Sequence, residues 1–281
     1  MDKYFSKKTI ISLMEKLKTG CRPILVTTAG IGLSAKFEQR GNTDMIAVSS
    51  SSILEMDGHH PLISMLPYGN ANEMVLKTVK RIVSQVADIP LMAGICATDP
   101  TTDLQTLLDE LAFYKVSAIY NTPSVGIYEG EAKWQLEKAG VKYEDELAAL
   151  VYASERGFYT MANVFTMEQA ELAVQTNIDA VVCDLGFTIS PEEDREEYLT
   201  EEYVVEKLQR LTRAVRAASA DKIVFVHGGL INTPEAARHI LPRTGAIGLV
   251  LDSAVERIPV EVPLMKAVQE FKNISLYSGK E

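Results

Sequence analysis

Residues 222–257 read KIVFVHGGLINTPEAARHILPRTGAIGLVLDSAVER and decide the fold. Two apolar runs, one at 223–226 and one ending before Asp252, flank a segment whose Thr233 and Pro234 predict the start of a helix. Apolar runs of this length without alternation are typical of strands buried on both faces. Because a helix joins them, the two strands are expected to be parallel.

Polar residues follow both of these predicted strands. His227, Gly228 and Gly229 come after the first, and Asp252 and Ser253 come after the second. In a parallel barrel the carboxyl ends of the strands carry the chemistry. We therefore expect these five residues to lie at one functional mouth.

The rest of the chain repeats the same strand–helix unit. Together with the opening stretch it predicts eight strands and a single (β/α)₈ TIM barrel over residues 1–281, with a capping helix in 1–20 and the barrel in 24–272. An open doubly wound sheet is the rival, but no GxGxxG follows the first strand. Residues 49–70 are expected to form a long irregular insert. The predicted strands are 24–28, 45–48, 91–95, 117–120, 158–163, 180–183, 223–226 and the run before Asp252.

Composition excludes several functional classes. The formal net charge of −10 argues against nucleic-acid or anionic-membrane partners, which require basic surfaces. No apolar run reaches the roughly 20 residues of a membrane span. The N-terminus lacks the apolar core of a signal peptide, and three widely spaced cysteines suggest no disulfide framework. We expect a cytoplasmic protein.

Several phrases in the chain resemble the phosphoenolpyruvate hydrolase-like TIM-barrel family. The resemblance extends from the first strand to the last helix, and it implies the barrel fold. It also implies a lyase or hydrolase that acts on a small oxo- or enol-carboxylate, with or without a phosphate group. The phrases are TAGIGLSAK ending at Lys36, LPYGNAN (66–72), AGICATDP (93–100), IYNTPSVG (119–126), HGGLINTPEAA (227–237) and SAVERIPVE (253–261).

The candidate catalytic residues stand at predicted strand ends. His227 is expected to move a proton, or else to hydrogen-bond a neighbouring loop. Asp184 and Asp99 would hold Mg²⁺, although Asp99 before a proline equally suits a helix N-cap. Asn121 and Asn163 would hydrogen-bond substrate oxygens. No organic cofactor is expected.

A second set of residues predicts binding of a small anion. Gly228 and Gly229 would bring backbone N–H groups to the ligand, and Ser253 would complete the cradle. Gly30 and Lys36 lie near the start of a predicted helix, where an anion is favoured. The competing interpretation is that the glycines only form turns and that Lys36 is a solvated surface residue.

The acidic run at 191–197 is interpreted as a solvated surface or a lid over the mouth. Over the mouth, these carboxylates would repel an anionic substrate unless a cation lay between them. Mg²⁺ at Asp184 would meet that requirement.

Two functions remain open at this stage. The first is the enzyme described above, with Mg²⁺ stabilising an enolate. The second is a non-catalytic ligand-sensing or protein-interaction module on the same barrel. Under either function we expect a homo-oligomer, because Phe271, Ile274, Leu276 and Tyr277 form an apolar C-terminal segment suited to docking on a neighbour.

Overall fold

A computed structural model describes residues 5–190 and 199–275 as a closed barrel of eight parallel strands. The strands pair in chain order, and the first strand closes the barrel against the last. They are β1 (Ile24–Thr28), β2 (Met45–Val48), β3 (Leu91–Ile95), β4 (Ala118–Asn121), β5 (Tyr159–Val164), β6 (Ala180–Thr188), β7 (Ile223–Gly229) and β8 (Gly248–Leu251). The predicted (β/α)₈ barrel is confirmed.

Helices precede, connect and follow the strands. They are α1 (Lys7–Lys18), α2 (Gly32–Arg40), α3 (Ser50–Met56), α4 (Ala71–Ile82), α5 (Leu104–Phe113), α6 (Gly130–Lys138), α7 (Tyr143–Glu155), α8 (Met167–Val174), α9 (Glu201–Ala218), α10 (Pro234–Thr244) and α11 (Ile258–Lys272). Short 3₁₀ turns span Pro61–Met65, Val83–Gln85 and Val125–Ile127. In the described part of the chain, every helix is too short or too polar to cross a bilayer.

The expectation of an irregular insert at 49–70 is wrong, because this segment contains α3 and a 3₁₀ turn. Ser49 is the N-cap of α3. Its hydroxyl accepts the Ser52 N–H, and the Ser52 hydroxyl accepts the Ser49 N–H. Serine is a poor helix former but a strong N-cap, so a run of serines hides the start of a helix.

The strands alternate between two apolar layers. On β1 and β7, Val26 and Phe225 point into the barrel, while residues of opposite parity such as Val224 pack against the surrounding helices. At the amino-terminal end, Ile10 and Met14 of α1 are fully buried within the interior layer. The predicted capping helix therefore closes the bottom of the barrel.

The interior is tightly filled where β7 meets β8. A Cβ atom built on Gly248 would overlap the ring of Phe225, which is fully buried. Glycine at this position lets the aromatic ring occupy the space beside β8. Interiors packed this closely do not absorb an added methyl group without strain.

We predict that Gly248→Ala lowers the free energy of unfolding by about 1–3 kcal/mol, because the new methyl group forces the Phe225 ring from its place. Urea unfolding followed by circular dichroism measures the loss. Gly32→Ala is the matched control: its Cβ would meet only side-chain carbons at 3.7 and 3.9 Å, so stability should be kept or raised. Equal stability of the Gly248→Ala variant and the parent would contradict this packing.

Candidate active site

A small cavity opens at the carboxyl ends of the strands. Its wall includes Asp184 of β6, His227 of β7, Asp252 after β8 and Thr122 after β4. The cavity is small, about 50 Å³, and it is partly open to solvent. It has room for a few water molecules.

His227 has a defined orientation in this cavity. Its Nδ1 lies 2.9 Å from the carbonyl oxygen of Val250 on the neighbouring strand. A carbonyl oxygen can only accept, so Nδ1 carries the proton and donates it. In the neutral ring Nε2 is then the unprotonated nitrogen, which is the form that a general base requires.

Asp184 lies beside His227 in the strand register, and it is buried. Burial raises the pKa of Asp184 to about 6, although the charge of His227 and the N–H of Gly186 act in the opposite direction. The Gly186 N–H donates to Asp184 Oδ1 over 2.7 Å. Nearby Asp252 raises the pKa further by charge repulsion. This carboxyl group therefore titrates close to neutral pH.

Asp252, which the sequence places at the functional mouth but to which it assigns no catalytic or metal-binding role, belongs to the cavity wall. The Thr28 hydroxyl donates to Asp252 Oδ1 over 2.5 Å, and the Ser51 hydroxyl donates to Oδ2 over 3.3 Å. The sequence does contain a signal that Asp252 points into the barrel, because Val250, two positions earlier, is an apolar residue of the barrel interior. Strand alternation then directs residue 252 inward as well.

Two of the predicted anion-binding residues contact carboxylates of the protein itself. The Gly30 N–H donates to both oxygens of Glu256, over 2.9 and 3.0 Å. The Ser253 hydroxyl donates to Glu55. These donors are occupied by internal side chains, and the structure does not direct them toward the cavity.

The buried carboxyl groups beside β1 and β8 hold protons unusually tightly. Burial raises the pKa of Glu256 to about 8 and that of Glu38 to about 7. Burial and the charge of Asp252 also raise the pKa of Glu55. Arg257 lies 3.3 Å from Glu55 and partly offsets that charge. This end of the mouth is unfavourable for a second anion.

Gly228 and Gly229 allow a close approach between two strands. Both have positive φ angles, +84° and +58°. A Cβ atom on Gly228 would overlap the carbonyl oxygen of Gly186, where the long β6 strand passes β7. The pair is buried within β7, so the close approach of β6 accounts for both glycines without a ligand, and the prediction that they form a turn is wrong. Lys36 is exposed on α2 and does not belong to the cavity wall.

Asn121 and Asn163 form a bridge between β4 and β5. The side-chain oxygen of Asn121 accepts the Asn163 N–H over 2.8 Å, and its amide nitrogen donates to Glu146 over 2.7 Å. The Asn163 amide donates to the Asn121 carbonyl oxygen over 3.1 Å. Neither residue belongs to the cavity wall. Any catalytic role for Asn121 stays a prediction that the geometry does not favour.

Asp99 also lies outside the cavity wall, and its oxygens have other partners. The hydroxyls of Thr101 and Thr102 donate to it over 2.7 and 2.5 Å, and Asn70 donates over 2.7 Å. Burial opposes the ionised form, but together these hydrogen bonds prevail and lower the pKa of Asp99. The predicted N-cap role is wrong, because Asp103 caps α5.

The positions of the carboxylate side chains test the predicted magnesium site. Within residues 5–190 and 199–275, no group of three or more His, Cys, Asp or Glu side chains is arranged to hold a metal ion. Mg²⁺ needs fewer protein ligands, since one or two carboxylates with substrate oxygens and water suffice. Asp184 and Asp252 share the cavity and fit that chemistry, whereas Asp99 does not. The acidic run at 191–197 lies outside the described residues.

The sequence profile of the phosphoenolpyruvate hydrolase-like family matches residues 9–274 of this chain. The match covers nearly the whole barrel, from α1 to the residues after α11. The chain therefore belongs to the phosphoenolpyruvate hydrolase-like family, as its motifs predicted.

Two tomato (Solanum lycopersicum) proteins are similar to this chain. The ToMV resistance protein Tm-1(GCR237) is 32% identical over 273 residues, and the ToMV susceptible protein tm-1(GCR26) is 32% identical over 270. The matches cover 96% and 95% of this chain but 36% of each tomato protein, so the chain spans about a third of their length.

Solved structures share the fold at low sequence identity. A phosphonopyruvate hydrolase in complex with oxalate and Mg²⁺ superimposes with a TM-score of 0.64 at 13% identity, covering 95% of this chain and 87% of that one. Oxaloacetate acetylhydrolase gives a TM-score of 0.63 at 14% identity, with coverages of 99% and 91%. These similarities establish the shared barrel fold.

We predict that Glu256→Gln makes the protein more stable at high pH. The pKa of Glu256 rises from 4.5 to about 8 on folding, so stability from its proton is present at acid pH and is lost as the pH rises toward 8. Glutamine keeps an acceptor for the Gly30 N–H and carries no charge. The variant should gain on the order of 2–4 kcal/mol over the parent at pH 9 and little at pH 4.

Urea unfolding at several pH values measures this difference. Glu235→Gln, at an exposed position on α10, is the control. Its free energy of unfolding should stay close to that of the parent at every pH. A Glu256→Gln variant that is less stable than the parent at pH 9 would show that the carboxylate is ionised and stabilising in the folded protein.

Proposed function

We propose that this protein is an enzyme, a lyase or hydrolase that acts on a small oxo- or enol-carboxylate by acid–base chemistry. One observation supports the proposal above all others. Three neighbouring strands bring His227, Asp184 and Asp252 to one cavity, and the hydrogen bond from His227 Nδ1 leaves Nε2 as the basic nitrogen.

In the proposed reaction His227 moves the proton. Nε2 accepts a proton from the substrate, while Nδ1–H stays bonded to the Val250 carbonyl and holds the ring in place. The adjacent Asp184 carboxylate favours the imidazolium that results, since opposite charges stabilise each other at short range in a buried site. An imidazole beside a carboxyl group whose pKa is raised to about 6 suits proton transfer in both directions.

Asp184 and Asp252 are the residues that would hold Mg²⁺. Bound there, the ion would stabilise the negative charge of an enolate and of the substrate carboxylate. The hydroxyls of Thr28 and Ser51 fix Asp252, so its oxygens keep their direction whether or not a cation is present. Two carboxylates at one small cavity otherwise repel an anionic substrate.

The insert between β2 and α4 covers the mouth of the cavity. Ser51, Ser64 and Met65 line the cavity from this side, and the ring of His60 lies edge-on to Phe187 at 6.0 Å. In the proposed cycle this cover opens to admit substrate and closes to exclude water. The small volume of the cavity favours a substrate with few atoms.

The occupied anion-binding groups narrow the substrate class further. The donors that would bind a phosphate near β8, Gly30 N–H and the Ser253 hydroxyl, already contact Glu256 and Glu55. We therefore propose a substrate without a phosphate group at that end of the mouth, such as a 2-oxo dicarboxylate.

A ligand-sensing module remains the second candidate. The observation that favours it is the length of the tomato relatives, of which this chain matches 36%. In such proteins a barrel of this kind forms one part of a longer chain, where binding alone can serve another part.

We predict that His227→Gln lowers kcat about 10²–10⁴-fold, because it removes the general base. The assay incubates the protein and Mg²⁺ with a panel of small 2-oxo and enol carboxylates and follows product formation by proton NMR. His239→Gln, on the exposed side of α10, is the matched control and should keep full turnover.

Binding of oxalate, measured by calorimetry, separates the two candidate functions. Turnover that His227→Gln abolishes supports the enzyme. Oxalate binding at this cavity without turnover of any carboxylate in the panel would contradict it and favour the sensing module. Turnover unaffected by His227→Gln would show that the base lies elsewhere.

A further inference from the structure

The segment that follows β4, residues 122–127, forms one side of the cavity. Its members that line the cavity are Thr122, Pro123, Ser124 and Ile127. In the closed order of eight strands β4 lies across the barrel from β8, so this segment and Asp252 lie on opposite sides of the mouth. A ligand held by the residues of β6, β7 and β8 therefore has residues 122–127 on its other side.

Glu146 of α7 lies behind this segment, and its side chain is fully buried. Its Oε2 accepts the Ser124 hydroxyl over 2.6 Å and the Asn121 amide over 2.7 Å. Its Oε1 accepts the Val125 N–H over 2.6 Å. Both carboxyl oxygens therefore bind the segment or the strand end before it, and Glu146 itself does not line the cavity.

A buried carboxyl group with neutral partners is costly to keep ionised. Burial raises the pKa of Glu146 to about 7, although the hydrogen bonds from Ser124, Asn121 and Val125 act in the opposite direction. A buried network in which each member has a partner is rigid, because each broken bond leaves a polar atom without one. The carboxyl group therefore fixes the position of the chain after β4.

A second buried side chain, Gln169 of α8, holds the far part of the segment. Its amide nitrogen donates to the Gly126 carbonyl oxygen, and its side-chain oxygen accepts the Phe165 N–H, each over 2.8 Å. Phe165 also lines the cavity. A Cβ atom on Gly126 would overlap the ring of Tyr143, so the segment packs directly against α7. The wall is therefore held from behind along its length.

We propose that Glu146 is a positioning residue of the active site, whose three hydrogen bonds hold residues 122–127 in place as the wall against which the ligand binds. This role rests on the proposed function, in which the cavity takes a small carboxylate. Glu146 touches no substrate, and its effect passes through Ser124 and the other wall residues of the segment.

Glu146→Gln is the variant that isolates these hydrogen bonds. Glutamine has nearly the same shape, but an N–H donor replaces one carboxyl oxygen. Whichever way the new amide lies, its donor faces either the Val125 N–H or the Asn121 amide, so one bond is lost. Asn121 cannot turn over to compensate without giving up its own bond to the Asn163 N–H.

Hydrogen–deuterium exchange followed by mass spectrometry measures how firmly the segment is held. At about pH 8, above the pKa of Glu146, residues 122–127 of the Glu146→Gln variant should exchange roughly 10-fold faster than in the parent, or more. Glu144→Gln, exposed on the same helix, is the matched control and should exchange as the parent does. Parent-like exchange in Glu146→Gln would overturn the proposal.

Calorimetry with oxalate and Mg²⁺ measures the consequence for the site. Glu146→Gln should weaken oxalate binding roughly 10-fold, because a wall that moves is no longer preorganised for the ligand, whereas Glu144→Gln should bind as the parent does. Unchanged binding in a variant whose segment exchanges faster would overturn the proposal. A parent that binds no oxalate would count against the proposed function, and exchange would then decide alone whether Glu146 holds the segment.

The double variant Asn121→Asp with Glu146→Gln separates hydrogen bonding from a general loss of stability. The glutamine now donates to the aspartate and still accepts the Val125 N–H, while the other oxygen of the aspartate accepts the Asn163 N–H. Exchange and oxalate affinity should return to within about 3-fold of the parent. A double variant no better than Glu146→Gln would overturn the proposal.

Circular dichroism confirms that each variant is folded. If Glu146→Gln does not fold, Ser124→Ala takes its place, since it removes one of the three bonds and leaves the carboxyl group two partners. It should produce the same two effects in smaller measure, and parent-like exchange and binding in that variant would contradict the positioning role.

Discussion

Alternation along strands that are buried on both faces is the constraint on which this structure depends. Within the barrel, successive residues point in turn to the interior and to the helices, so a polar side chain at a strand end takes its direction from the apolar residues before it. Val182, Phe225 and Val250 belong to the interior layer, and Asp184, His227 and Asp252 stand two positions after them. The tightly packed core below these three residues therefore directs their side chains toward the mouth of the barrel.

Around that site, carboxyl groups of the protein occupy the donors that would otherwise bind an anion. Glu256 accepts the Gly30 N–H, Glu55 accepts the Ser253 hydroxyl, and burial raises the pKa of both carboxyl groups. The same contacts hold the connection between β8 and α11. One set of interactions therefore determines both the charge at the mouth and the position of α11.

The sequence predicts the barrel well because local patterns carry the information. Each strand is a short apolar run, and the rule of alternation also assigns Asp252 to the interior and Asn121 to the helix side. The hydrogen bonds between Ser49 and Ser52 that begin α3 are local too, although the run of serines conceals the start of this helix in the sequence. By contrast, Gly30 and Glu256 are 226 residues apart, and Ser253 and Glu55 are 198 apart. Such pairs depend on the closure of β1 against β8, which no local pattern encodes.

The central claim is that Asp184, His227 and Asp252 serve one ligand in one cavity. A crystal structure of the protein grown with oxalate and Mg²⁺ tests it most directly. The account predicts oxalate within hydrogen-bonding distance of His227 Nε2, with Mg²⁺ between the ligand and the two aspartates. Oxalate bound beside Gly228 and Gly229, or on the outer face of the barrel near Leu25 and Leu251, with this cavity holding only water, would contradict it.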